Sequence, residues 1–371
     1  GKTCRPRLWT TMQKRSLSFL WLTLATAHAA HAQQFVSPSE RRALEGSSYT
    51  HYPLGRASAR VQTLHDGLPG GAWIAAHAYR RDAVGTRGHV AGLSCELQVT
   101  LSIAPHAAAS ASPSFAANRG SHAVVVLPRQ VISIPATARP SLDPAPIFEV
   151  VVPYMTPYHV PPSGGTLCVD VEVFGNTTNA GADQNVSIYL DAHQQFADGR
   201  ARQRGFRLRQ GCPAPGSAAL CYANVDVWSL PSGGSEIDVS IRNGVGGAAA
   251  TAARGFLLLG NHLGTRAWPL RTDCPFHSSA EVWFALPGSM TASGAYDGTL
   301  ALPSLPPGLR LWCQAGSVAL SSVAMSFSDA VTLVTPRLGP LPRPCMRIAN
   351  GVDVAAATGA VSASVPVMAF F

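Results

Sequence analysis

The chain has 371 residues, 46% of them hydrophobic and only 13% charged, with a formal net charge of +8. Both lysines and five of the 28 basic residues fall within residues 1–32, a stretch without an acid, so the rest carries +3. That small balance argues against general nucleic-acid binding, and a chain without lysine beyond residue 32 has no Schiff-base or lysine-nucleophile chemistry.

Met12-Gln13-Lys14-Arg15 followed by apolar Leu17 to Ala27 has the basic start and short oily centre of a secretory signal peptide. The centre is too short to span a bilayer. Ala30-His31-Ala32 supplies a small-residue exit, so residues 1–32 are expected to be removed. The product is expected outside the cytoplasm, as a secreted, extracellular, cell-surface or periplasmic protein with no transmembrane segment. Seven cysteines follow: Cys95, Cys168, Cys212, Cys221, Cys274, Cys313 and Cys345. An exported chain oxidises most of its thiols, and an odd count leaves one over. Cys212 and Cys221 are spaced for a small loop, and Cys95 with Cys168 would tie two long strands, while Cys274 and Cys313 are further candidates. Without a C-x-x-C pair, a structural zinc is not expected.

Taken in order, Ala59 to Leu64 and Trp73 to Arg81 read as the first strands. Leu93, Cys95, Leu97, Val99, Leu101 and Ile103 then alternate with polar residues, giving a strand with one oily and one wet face. Short strands follow at Val124 to Leu127, Val131 to Ile134 and Phe148 to Val152. Thr166 to Phe174 repeats the alternation, with Leu167, Val169, Val171 and Val173 set against Asp170 and Glu172. Antiparallel sheets with one packed and one solvated face read this way. After an Arg-rich run over 199–210, further strands are expected between Asn224 and Val334, among them Glu236 to Ile241 and Leu309 to Gln314. A helical period is sustained nowhere beyond the leader. The expected fold is all-β: two antiparallel β-sandwich, jelly-roll-like modules in tandem after the signal peptide. The modules cover 33–198 and 211–335, joined by a linker over 199–210 and trailed by a low-order tail over 336–371.

Glu45-Gly46-Ser47-Ser48, Arg60-Val61-Gln62, Tyr79-Arg80-Arg81-Asp82, Phe115-Ala116-Ala117-Asn118 and the run Phe148 to Tyr158 resemble the opening module of secreted proteins of planctomycete-type bacteria. Gly211-Cys212-Pro213, Gly255 to Gly260, Cys274-Pro275, Leu305 to Leu309 and Leu311-Trp312-Cys313-Gln314 resemble the module that often ends such chains. The resemblance covers roughly residues 45–335 and implies two β-sandwich modules outside the cytoplasm. It assigns no catalytic residue, and the tail and Cys221 depart from its pattern.

Glu236 and Asp238, at i and i+2, share a strand face as in laminarinase-type glycosidases. The further carboxylate of that signature is missing, since Ser240, Ile241 and Arg242 stand where it belongs. Asp170 and Glu172 form a second such pair. The histidines are scattered singly, with His77 and His159 as one conceivable spatial pair. Asn176, Asn179, Asp183 and Asn185 make an oxygen-rich loop that would suit calcium, without EF-hand spacing. Arg200, Arg202, Arg204, Arg207 and Arg209 would grip a sulfated or carboxylated polysaccharide, because guanidinium pairs bidentately with such groups. Trp73, Trp228, Trp268, Trp283 and Trp312 are expected chiefly in cores, with a sugar-stacking platform as the functional alternative. Together these readings favour an exported, non-catalytic binding protein for extracellular polysaccharide or another cell-surface component. The alternative is a secreted polysaccharide hydrolase working through Glu236 and Asp238.

Overall fold

A computed structural model describes residues 35–82, 92–136, 147–176, 188–268, 271–319, 321–322, 324–338 and 344–371. The expected signal peptide lies outside these residues. So do Asn179, Asp183 and Asn185 of the calcium candidate, and the side chain of Trp268.

The described chain is nearly all strand. The first strands are β1 (Phe35–Ser37), β2 (Ser48–Thr50), β3 (Ala59–Leu68), β4 (Trp73–Tyr79) and β5 (Leu93–Ala104). Then come β6 (Ser121–Ile134), β7 (Val150–His159), β8 (Gly165–Asn176) and β9 (Leu190–Gln194). The middle of the chain gives β10 (Ala201–Arg204), β11 (Phe206–Arg207), β12 (Tyr222–Ser229), β13 (Ser235–Arg242) and β14 (Ala253–Gly260). It continues with β15 (Leu263–Trp268), β16 (Arg271–Ser278), β17 (Val282–Ala285), β18 (Tyr296–Leu302), β19 (Arg310–Ala319) and β20 (Ala324–Val334). The last four are β21 (Cys345–Asn350), β22 (Ala360–Ser362), β23 (Ser364–Pro366) and β24 (Met368–Phe370). Among the described residues no helix is long and apolar enough to cross a membrane.

All pairings within the sheets are antiparallel, as the clean alternation requires. The two strands with the strongest alternation lie side by side, with Leu97 opposite Val173 and Leu101 opposite Val169. They are central in a six-stranded sheet of order β22-β21-β3-β8-β5-β6. Their oily faces meet β4, β7 and β24 of a four-stranded sheet, β1-β24-β4-β7, around Val61, Leu97, Leu101, Val152, Val169 and Phe370. A second large core lies between β10-β12-β13-β18 and the five-stranded β11-β20-β19-β14-β17. It is filled by Val225, Val227, Ile237, Val239, Leu257 and Val331, all essentially inaccessible.

Two segments differ from expectation. The Arg-rich run forms strands, not a linker: β10 pairs with β12 and β11 with β20. Ala201 and Gln203 turn inward while Arg202 and Arg204 turn outward, so the period of two is present beneath the charge. The expected low-order tail carries β21 to β24, which return to the opening strands. β21 lies along β3, β23 along β9, and β24 between β1 and β4. Buried Ile348, Val365, Val367, Met368 and Phe370 hold this segment in place.

The cysteine pairing also differs. Cys212 is bonded to Cys274, while Cys95, Cys168, Cys221, Cys313 and Cys345 are buried thiols. Cys212 and Cys221 are joined through the backbone, Cys221 N–H to Cys212 C=O at 3.3 Å, but their side chains enter different cores. Cys95 and Cys168 do occupy neighbouring strands. Cys95 sits opposite Asn176 and Cys168 opposite Ser102, about seven rungs or roughly 23 Å apart, and on opposite faces. Buried thiols in apolar surroundings have pKa values pushed up, to about 12 for Cys95, Cys168, Cys221 and Cys345.

Candidate functional site

The outer face of the β10-β12-β13-β18 sheet gathers Arg202, Arg204, Trp228, Glu236 and Asp238 from among the residues singled out from the sequence. Register places Arg204, Asp226, Asp238 and Thr299 on one rung across the four strands. Arg202, Trp228, Glu236 and Ala301 form the next rung but one. Asp238 is bound from both sides: Trp228 Nε1 donates to Oδ2 and Thr299 Oγ1 to Oδ1, each at 2.6 Å. Glu236 stands two residues along the same half-exposed face. The pair thus shares a strand face, as the alternation implied, but Asp238 serves as an acceptor that fastens its neighbours.

The five arginines do not all line one cleft. Arg200 lies over the rings of Phe196 and Trp228 and pairs with Asp198 at 3.0 Å. Arg209 donates to Thr265 Oγ1 at 3.0 Å. Arg202, Arg204 and Arg207 converge on a cleft of about 290 Å³ that also has Ser48, Tyr49, Asn224 and Asp226 in its walls. Arg202 donates through Nη2 to the Ser47 carbonyl at 2.9 Å, and its Nε lies 4.0 Å from Asp226 Oδ2. The Arg204 guanidinium sits 5.2 Å from the centre of the Tyr49 ring. Arg202 Nε and Arg204 Nη1 are buried N–H groups with no hydrogen-bond acceptor among the described residues. Burial lowers the Arg202 pKa, opposed by Asp226. Burial likewise raises that of Asp226, opposed by Arg202 and Arg204. Each partner therefore offsets part of the other's cost of burial, and the cleft keeps guanidinium hydrogens in excess of acceptors. Asn224, Asp226 and Tyr49 were not singled out from the sequence. Tyr49 arrives from β2, and nothing local in the sequence marks it.

The remaining candidates are placed as follows. Asp170 is buried and accepts from Arg60 Nη2 at 3.0 Å, Gln62 Nε2 at 2.9 Å and Arg119 Nη2 at 2.6 Å. Glu172 accepts from Gln98 at 2.8 Å. Gln62 also binds the Phe115 carbonyl, and Asn118 donates to Gln62. The Arg-x-Gln and Phe-Ala-Ala-Asn motifs are thus two halves of one buried network. Asn176 Nδ2 donates to the Leu54 carbonyl at 2.7 Å. His77 and His159 do not meet: His77 bridges Tyr154 and Tyr79, and His159 packs 4.6 Å from exposed Trp73. Trp228 is buried and Trp283 about half exposed.

Two further clusters escape sequence reasoning because their members are far apart in the chain. Carboxylate oxygens of Glu45, Asp82 and Asp191 all lie within 4.8 Å of one another in the interior. Asp191 accepts from Arg80 Nε at 2.6 Å and from Gly46 N–H at 2.7 Å, so cationic and amide donors already balance it. Ser47 Oγ shares a 2.9 Å hydrogen bond with His193 Nδ1, and His193 Nε2 is 3.5 Å from Glu40. This has the composition of a nucleophile triad, but Ser47 is wholly buried and its hydroxyl also accepts from the Gln194 amide at 3.0 Å. Burial with Arg41 and Arg202 nearby holds the His193 pKa well below the usual range, so a neutral imidazole joins β2 to β9 here. A scan of the sequence against protein-family models finds no match, and a search of curated proteins finds none either.

Proposed function

We propose that the protein is an exported, non-catalytic protein of two β-sandwich modules that binds sulfated or carboxylated polysaccharide at the cell surface or in the matrix. The cleft at Arg202 and Arg204 carries this reading. Three half-buried guanidinium groups, those of Arg202, Arg204 and Arg207, line it beside an aromatic ring. Sulfate and carboxylate oxygens are strong acceptors for such donors, and the fork of the guanidinium favours two bonds to one group. The leader-like residues 1–32 and the resemblance to exported planctomycete-type proteins support the location.

Polygalacturonate and dextran sulfate, immobilised beside neutral dextran, test the reading. The full chain is expected to retain both acidic polymers, to release them with rising salt, and to lose most of its retention as Arg204→Ala. Equal retention on neutral dextran, or an unaffected Arg204→Ala variant, would overturn it. Reducing-sugar release that vanishes in Glu236→Gln would favour the hydrolase instead.

A further inference from the structure

A second cleft, of about 480 Å³, continues along the same stretch of chain, with Leu208, Arg209, Leu220 and Tyr222 in its walls. The two clefts share one wall residue, Arg207. Arg207 is held by Asp329, Nε to Oδ2 at 3.1 Å, and by Asn224 Oδ1, to which Nη2 donates at 2.6 Å. Its guanidinium also lies 4.6 Å over the Tyr222 ring. We infer that the two clefts form one groove for an extended acidic glycan, and that Asp329 competes with the glycan's anionic groups for Arg207. This rests on the proposed function above and names its regulation.

The groove alternates in chemistry as such a chain does. Guanidinium groups of Arg202, Arg204, Arg207 and Arg209 line it together with half-exposed Leu208 and Leu220, with Arg204 lying over the Tyr49 ring and Arg207 over the Tyr222 ring. From residue 202 to residue 211 the chain could cover at most roughly 30 Å if fully extended, room for several sugar units. Anionic substituents meet the cations, and the C–H faces between them meet the rings and leucines.

Arg207 is about one-third exposed, whereas Asp329 is 7% exposed. Burial pushes the Asp329 carboxyl up to about 6, against the Ala223 N–H at 2.9 Å and against Arg207. Facing Asp329 are Arg207 on β11 and, beside β12, the Cys221 thiol, itself neutral at these pH values. On β16, His277 reaches the Gln210 carbonyl at 3.2 Å, its pKa lowered by burial. Below about pH 6 the Asp329 carboxyl takes a proton and Arg207 loses its ionic partner. The groove then holds one more unpaired cation.

Calorimetric titration of the full chain with oligogalacturonates and sulfated dextran fragments, short and long, tests this at about pH 7.5 and about pH 5. Long fragments of at least one class are expected to bind more tightly than short ones, and about fivefold more tightly at the acid pH. Asp329→Asn keeps an oxygen for the Ala223 N–H, removes the charge, and is expected to bring the neutral-pH affinity to the acid value. Arg209→Ala, on an exposed residue, is expected to weaken long fragments more than short ones, which keeps the test valid if Asp329→Asn folds poorly. Binding that ignores fragment length, or a pH dependence that persists in Asp329→Asn and follows His277→Gln, overturns the inference and leaves the proposed function standing. No binding of any fragment at either pH overturns both.

Discussion

Arg80 Nε lies 2.6 Å from Asp191 Oδ2, and neither side chain reaches solvent. Two charges leave water together there, and each is affordable only because the other is present. Removing one partner of a buried pair strands the other and costs about 3–5 kcal/mol, whereas replacing both by apolar groups costs far less. Asp191→Ala is therefore expected to lower the unfolding free energy by about that amount in urea titration, with the Arg80→Met, Asp191→Leu double variant well above it. A single substitution within about 1 kcal/mol of the parent would show that the pair is not buried as described.

The Cys212–Cys274 bond closes a loop across a sequence separation of 62. Loop-closure entropy alone gives about 4 kcal/mol for a staple of that span. The bond also fixes β16 against a cluster of Phe256, Leu258, Phe276 and Phe327. Cys274→Ala is expected to lose several kcal/mol in urea. Peptide mapping after maleimide treatment of the native chain should find Cys95, Cys168, Cys221, Cys313 and Cys345 unlabelled, since all five are buried with thiol pKa values raised. Rapid labelling of Cys221 under native conditions would contradict the placement of β12.

His65 and His77 are buried, and desolvation pushes both pKa values down to about 3. An unfolded histidine takes up its proton near pH 6.5, so between there and about 3 the unfolded chain binds more protons than the folded one. Their contribution to stability is therefore whole above pH 6.5 and falls as the medium is acidified. At about pH 5 each loses at most about 2 kcal/mol. His77→Gln still offers a donor and an acceptor to Tyr154 and Tyr79, and its urea stability is expected to fall less steeply with acidification than the parent's. An unchanged slope would mean that His77 is already charged in the folded chain.

Side-chain alternation made β5 and β8 legible, because a strand with one oily face repeats every two residues whatever its partners are. Their adjacency, and the seven rungs between Cys95 and Cys168, depend on register, which no local pattern encodes. In β10 the same alternation escaped notice because the inward residues are Ala201 and Gln203, too small and too polar to read as an oily face. Part of the candidate site was visible as Arg202, Arg204 and Arg207. The rest, Tyr49 and Asp226, meets these arginines only through the pairing of β10 with β12 and the approach of β2. Glu236 and Asp238 share the expected face. The sequence could not reveal that the Trp228 indole would claim Asp238.

The strands β21 to β24 escaped for the reverse reason: β22, β23 and β24 have three residues each, too few to show a period, and the six of β21 have Arg347 and Asn350 among them and no strict alternation. Their importance lies in what they cover. β21 runs beside β3 over six rungs, from Cys345 opposite His65 to Asn350 opposite Arg60. β24 fills the gap between β1 and β4, with Phe370 opposite both Phe35 and His77. Removal of residues 344–371 would expose edges of β1, β3, β4 and β9 and delete the buried side chains of Ile348, Val365, Val367, Met368 and Phe370 from the packing. At about 1.5–3 kcal/mol for each such side chain the loss rivals the whole stability of an ordinary domain. The truncated chain is expected to aggregate, and Phe370→Ala alone to cost about 3–5 kcal/mol. Val352→Ala, on a residue 74% exposed, is expected to change nothing measurable. A soluble truncated chain whose circular dichroism matches the parent would show that the opening strands close their sheets without this segment.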